Sequence, residues 1–156
     1  MLLPDIEPVM VAYLRSMGLH VGQAVATAVP EASTWPQVLG TTTRAFLQVY
    51  GTGGGVSHDT PMGDDVISLD VYAMKPSSDR PPTGAARQVL YQVRDYLMAA
   101  QAGGPLGFPE RIELPDNPPV VIFSAWMLTP NPRRVEDKDT SRAHYSVDVQ
   151  VMWGVL

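Results

Sequence analysis

Four short constellations in the chain have residue types that could do chemistry. The first is Gly51-Thr52-Gly53-Gly54-Gly55. A glycine-rich loop can cradle a phosphate on its backbone N–H groups, but only with a helix N-terminus directly after it and a Lys-Ser/Thr pair. Here Val56-Ser57-His58-Asp59 follows, without a lysine and ahead of Pro61 and Gly63. The run therefore reads as a mobile hairpin tip that gains order on contact, not as a nucleotide site. The second is Ser57-His58-Asp59 itself. Sequence neighbours do not make a catalytic triad, which is a matter of geometry, and no G-x-S-x-G is present. The third is His58 and Asp59 with Asp64 and Asp65, carboxylates of the kind hard cations bind. A polar loop brings such residues together by chance, and His20, His58 and His144 lack ligand spacing, so no metal is expected. The fourth is Asp70 with Asp148, a pair that could do acid–base work. Each lies on the non-core side of a strand pattern, and the favoured reading is two solvated strand faces.

The elements that position these residues follow from periodicity. From Tyr145 to Trp153 every second residue is large and apolar, and Ile67, Leu69, Val71 and Ala73 alternate in the same way. Period-two alternation predicts strands over Arg142–Trp153 and Val66–Ala73, each with one face on a core. Phe46–Tyr50 is a further strand, reached through an extended region from Val38, and the glycines break it. Val56–Asp65 then reads as an exposed loop joining the two arms of a hairpin. Val120–Leu128 is apolar enough at its start for a strand covered on both sides. A softer pattern over Val21–Val29 suggests a short strand ended by Pro30.

Two helices complete the pattern. Asp5 is an N-cap for a helix with Ile6, Val9, Met10, Tyr13, Leu14 and Met17 on one stripe, and Gly18 suits its C-terminal end. Thr83 is an N-cap for the longest helix, Gly84–Ala102, whose apolar stripe runs from Ala86 to Ala100 and which Gly103-Gly104-Pro105 stops. Helix, strands, helix, strands predicts an α+β fold, one mostly antiparallel β-sheet with two α-helices packed on one face, as a single domain over residues 1–156. The closing strand's core side is expected to lie beneath the long helix.

Composition narrows the function classes. The net charge of -5 argues against broad nucleic-acid binding, which needs Lys and Arg on phosphates. The loop 130–142 carries four basic and three acidic residues, which nearly cancel, so it is no phosphate-binding patch. It reads as a solvated loop or, from its length, as a partner-binding loop. With no cysteine there is no disulfide framework or thiolate metal site, in keeping with a reducing cytoplasm. No apolar stretch is long enough to span a bilayer, and Met1-Leu2-Leu3-Pro4-Asp5 lacks the basic region and apolar core of a secretory signal. Trp126 and Trp153 are candidate core residues, or interface anchors if either faces outward.

Taken in order, these segments resemble a known family. They are the helix Pro4-Asp5-Ile6-Glu7-Pro8-Val9 to Leu14, a strand ending at Pro30, and Phe46–Tyr50 running into glycines. Next come Ser68-Leu69-Asp70-Val71-Tyr72-Ala73 and the helix opening Ala85-Ala86-Arg87. Two last strands flank a Pro130-Asn131-Pro132 loop and end in Tyr145-Ser146-Val147-Asp148-Val149. The whole is similar to the tail terminator proteins of long-tailed bacteriophages, in particular the small versions from actinobacterial phages.

The resemblance implies a structural virion protein and not an enzyme, with no cofactor and no metal. Such proteins form a ring, commonly a homohexamer, that caps the tail tube, ends its polymerisation and meets the head–tail connector. It implies a place at the head-proximal end of the tail, after assembly in the host cytoplasm and away from any membrane. Partners would be other copies of the chain, the tail tube protein and the connector, with DNA passing through the lumen unbound. An acidic balance suits such a lumen. A ring needs two different patches per subunit. The candidates are Gly53, Gly54 and Gly55 on the hairpin, Asp70, Asp148 and Gln150 on the outer sheet face, and Arg133 and Arg134 in the charged loop. The alternatives are another head–tail neck or tail-completion protein, or a small ligand-binding or enzymatic domain using loop 51–65.

Overall fold

The computed structural model describes residues 3–38, 41–56, 62–103, 107–129 and 131–155. Seven strands and two α-helices follow one another along them: α1 (Ile6–Ser16), β1 (Val25–Ala26), β2 (Arg44–Val56), β3 (Met62–Met74), α2 (Thr83–Gln101), β4 (Glu110–Leu114), β5 (Asn117–Met127), β6 (Arg133–Arg134) and β7 (Arg142–Val155). A 3-10 turn spans Ala32–Thr34. The strands form one sheet in the order β1-β2-β3-β7-β5-β4, with β6 on β7 beside that path. All pairings are antiparallel except β1 on β2.

This corrects the expected architecture. Strand accounts for 43% of the structure against 23% helix, and the sheet is curled into a half-barrel, so the protein is mostly β and not a plain antiparallel sheet layered with two helices. The packing of α1 shows why. It touches β1 and β2 at one end of the strand order and β4 at the other, which a flat sheet would keep far apart. Asp5 N–H donates to Asn117 Oδ1 at 2.9 Å and Asn117 Nδ2 to the Asp5 carbonyl at 3.0 Å. At the other edge Arg15 Nε donates to the Val25 carbonyl at 3.0 Å. The first helix thus spans the opening of the curl, while α2 packs on β3, β5 and β7.

Local chemistry accounts for the helices. Asp5 caps α1 by accepting the Glu7 N–H, Glu7 and Arg15 complement the helix dipole at its two ends, and Gly18 takes a left-handed conformation just beyond (φ 70°). Thr83, the expected cap, does not cap α2. Pro82 holds that position with no side-chain bond, and Thr83 is the first helical residue. The expected stripe is otherwise in place: Ala86, Val89, Leu90, Val93, Leu97 and Ala100 are buried.

One hydrophobic core joins these stripes to the odd-numbered faces of β2, β3 and β7, including Leu47, Leu69, Val147 and Trp153. Further expectations change. The strand over 21–29 shrinks to Val25–Ala26, and the proline-rich stretch before Val120 holds β4. The glycine run does not end β2, which continues through it to Val56 across a bulge between Gly51 and Gly53. Of the expected loop Val56–Asp65, Met62–Asp65 belongs to β3, and Ser57, His58, Asp59, Thr60 and Pro61 lie outside the described residues.

Candidate functional site

The antiparallel register of β2, β3 and β7 lines up three rows of side chains on the face away from the helices. They are Phe46–Tyr72–His144, Gln48–Asp70–Ser146 and Tyr50–Ser68–Asp148. Each pair is directly opposite across a ladder, the separation at which cross-strand side chains interact. The expected solvated face is here a hydrogen-bonded network. Asp70 is only 5% exposed, and Ser68 and Ser146 are buried with it.

Asp70 is the hub. Ser146 Oγ donates to its Oδ1 at 2.6 Å, Tyr50 Oη to its Oδ2 at 3.2 Å, and His144 Nε2 lies 2.8 Å from the same Oδ2. Ser68 Oγ turns to Asp148 Oδ1 at 2.8 Å, and the exposed Arg133 reaches Asp148 Oδ2 at 3.5 Å. Burial by itself would push the Asp70 carboxyl up. Hydrogen bonds from His144, Ser146 and Tyr50, with the imidazole's electrostatic attraction, outweigh it and hold the group below its ordinary value.

A serine, a histidine and an aspartate therefore meet, but not as a nucleophile and its base. The carboxylate stands between the hydroxyl and the ring and accepts from both, so the imidazole is not placed to take the serine proton. Asp70 and Asp148 are on neighbouring rows and are bridged through Ser68 and Ser146, whose hydroxyls are 3.5 Å apart.

The network is roofed. Trp35 is 1% exposed, with its ring 6.4 Å from Phe46 and 6.2 Å from Tyr72, and the Arg142 guanidinium sits 5.1 Å above it. Tyr72 stacks on His144 at 4.1 Å and donates to Gln48. Burial first, then the Asp70 charge, pushes the Tyr72 hydroxyl up to about 12. Thr34-Trp35-Pro36 has the composition of a turn, but the one signal in it is a large aromatic in an otherwise polar connection, which has to be covered by something.

The opposite end of the same three strands is open. Gly51, Gly53, Gly54 and Gly55 are exposed along β2, with Asp64 and Asp65 across from them on β3. Gln150 lies on the outer face and donates to Asp64; Trp153 lies on the inner face, in the core, and donates to Asp65. Burial pushes the Asp65 carboxyl up, the Trp153 bond opposes it, and the Asp64 charge adds to the rise. Between this end and the first turn of α1 is a trough of about 370 Å³. Farther across the outer face Phe123, Trp126, Leu128 and Met152 are 36–46% exposed, so Trp126 is the outward-facing tryptophan of the two considered.

Of the candidate interface residues, the structure brings Asp70, Asp148 and Arg133 into one network and Gln150 and the three glycines to the open end. Arg134 stands beside Arg133 on β6, a two-residue strand within the expected loop 130–142. Asp64 and Asp65 are separated from His144 by the length of the ladder. His58 and Asp59 are outside the described residues. Among those residues no helix is long and apolar enough to cross a membrane.

No family model and no curated protein matches the chain. Among solved structures it is similar to a chain of the virion of a native gene transfer agent particle, with a TM-score of 0.50 and 14% identity, covering 90% of this chain and 84% of that one. At that identity the likeness is one of fold.

Proposed function

We propose that this chain is a structural virion protein, a subunit of the tail-terminator kind. It assembles as a ring, with six copies the expected number, caps the tail tube at its head-proximal end, stops tube polymerisation and meets the head–tail connector. In this reading it is not an enzyme, needs no cofactor, and lets DNA pass through an acidic lumen without holding it. Its partners are its own copies, the tube protein and the connector.

The observation that carries the reading is the fold likeness, over 90% of the chain, to a component of a phage-like particle. The site geometry supports it from a second direction. The polar residues that could have been a reaction centre are consumed in holding the sheet's own face together. Meanwhile glycine edge, carboxylates and aromatics are left outward, where contacts between proteins would use them.

Light scattering of the purified protein, alone and with tube protein, tests the proposal. A mass near six subunits and tubes of arrested length are expected. A strict monomer at every concentration, with tube length unaffected, would sink it. The fold likeness carries no position within the particle, so a neck or completion protein is the second reading. Capture of tube protein supports the terminator, and capture of the connector alone supports the neck.

A further inference from the structure

The open end of β2 has an unfilled side. β1 pairs with β2 only at Leu47 and Gln48, so from Val49 onward no strand lies on that side among the described residues. At Gly51 the backbone N–H is taken by Glu7 Oε1 at 2.7 Å. Gly53, Gly54 and Gly55 continue the strand exposed. An open edge without side chains is a template for another strand.

The glycines sharpen this. A Cβ on Gly54 would sit 2.2 Å from Asp65 Oδ1 and 2.7 Å from the Asp64 carbonyl, so the hairpin itself requires glycine there. At Gly53 and Gly55 nothing lies within 4 Å of a Cβ, and neither has a left-handed φ. Glycine within a strand costs backbone entropy and gives no packing. Where the subunit has no use for it, the close approach of a second backbone does.

The trough beside this edge indicates what approaches. Asp5, Glu7 and Asp65 stand in its walls with Ile67 and Trp153, so an extended segment bearing a cation fits it. The chain has eleven Lys and Arg residues. Arg15 and Arg44 are bound to carbonyls, Arg94 and Arg111 to neighbouring carboxylates, and Arg87 and Arg142 lie over aromatic rings. Arg133 is paired with Asp148. Of the four that remain, Lys75, Arg80, Arg134 and Lys138, Arg134 alone is in a strand. That strand, β6, pairs among the described residues only with β7 and is exposed.

We propose that a second copy of this chain lays its β6 segment along the Gly53–Gly55 edge and places Arg134 in the acidic trough. The two surfaces are different, so the contact is head-to-tail, the kind that closes into a ring. The inference rests on the assembly reading and names the contact through which assembly occurs.

The absence of cysteine makes the test clean. Gly55→Cys combined with Arg133→Cys is oxidised at a protein concentration where the parent chain is assembled. A ladder of cross-linked species up to the ring is expected, since a disulfide needs Cα atoms within about 7 Å. Cross-linking no greater than that of a Gly55→Cys, Asp95→Cys control overturns the contact while leaving assembly intact. In parallel, Glu7→Arg and Arg134→Glu should each raise the concentration needed for assembly by about tenfold, as like charges across an interface do, and the double exchange should restore it. Singles that assemble as the parent does also overturn it. A parent chain that never exceeds monomer mass overturns the assembly reading itself.

Discussion

Two ends of one three-stranded ladder, β2, β3 and β7, are built on opposite principles. At the closed end Ser68, Asp70, Tyr72, His144 and Ser146 all have partners in the same subunit, and Trp35 covers the Phe46–Tyr72 row. At the open end the backbone edge, the glycine run and Asp64 are exposed, and Asp65 is half-buried against Trp153. The strands, register and curl are shared, so the difference is in what covers the face. A buried network that satisfies its donors fixes one arrangement, whereas an uncovered edge is a place for something else to bind. The contrast separates residues that hold the subunit from residues left for a neighbour, and substitutions at the two ends should behave differently.

The largest effect is expected from Trp35→Ala. Removing a fully buried tryptophan costs about 3–5 kcal/mol, and here it also uncovers Phe46 and Tyr72. Urea unfolding should show the midpoint falling accordingly. A loss below about 0.5 kcal/mol, within the scatter of surface substitutions, would mean the roof contributes nothing and the two ends do not differ.

Next is Asp70→Ala, which leaves Ser146 with a buried donor, Tyr50 with a half-buried one and His144 without its partner. Each unsatisfied buried group costs about 1–3 kcal/mol. A comparable loss, about 1–3 kcal/mol from overpacking, is expected of Gly63→Ala, whose Cβ would fall 2.2 Å from the Trp153 ring. Gly63 is thus a glycine the fold needs, although it lies at the open end. Near-parent stability of Asp70→Ala by thermal melts would show that the network is dispensable.

Acid should separate the ends by sign. The Asp70 carboxyl is held below its ordinary value of 3.8 in the folded protein. Its contribution is present above that value and is lost as pH falls through the lower, folded one. Asp65 is raised above 3.8. Its ionisation opposes folding at neutral pH, and this cost is relieved as pH falls through its raised value. Asp65→Asn should therefore be more stable than the parent at pH 7 and converge with it in acid. Asp70→Asn should be less stable at pH 7 and lose less on acidification. Melting temperature across pH 2–7 measures both, and parallel curves for the two variants would remove the distinction.

How much of this could be read from residues alone differs by element. The period-two alternation of Tyr145–Trp153 and Ile67–Ala73 gave the core strands, because apolar burial on one face leaves a pattern in one strand's own sequence. The stripes of α1 and α2 were visible for the same reason. The curl was not, since it depends on α1 meeting β1 and β4 at once, a contact between segments over ninety residues apart. The two-residue strands β1 and β6 are too short for any period, and β4 is hidden among prolines. At the network, the polar side of β7 suggested solvent. Only the register that sets Ser68, Asp70 and Tyr72 opposite Asp148, Ser146 and His144 turns those residues into partners. Gly53–Gly55 looked like the end of a strand because glycine is rare inside one, a rule that fails where an edge is kept bare.

The smallest effect is the most informative about the open end. Gly53→Ala and Gly55→Ala put a methyl group where no atom lies within 4 Å, at backbone angles other residues adopt. Gly→Ala at such sites restricts the unfolded chain and stabilises by about 0.4–1 kcal/mol. If the glycines serve the subunit, these variants should be less stable than the parent. If they serve a neighbouring backbone, the isolated subunit should gain stability while assembly weakens. Thermal melting at low concentration and sedimentation at high concentration, on the same two variants, read the two quantities independently. A loss of stability without a change in assembly would place Gly53 and Gly55 with Gly63, as residues of the fold.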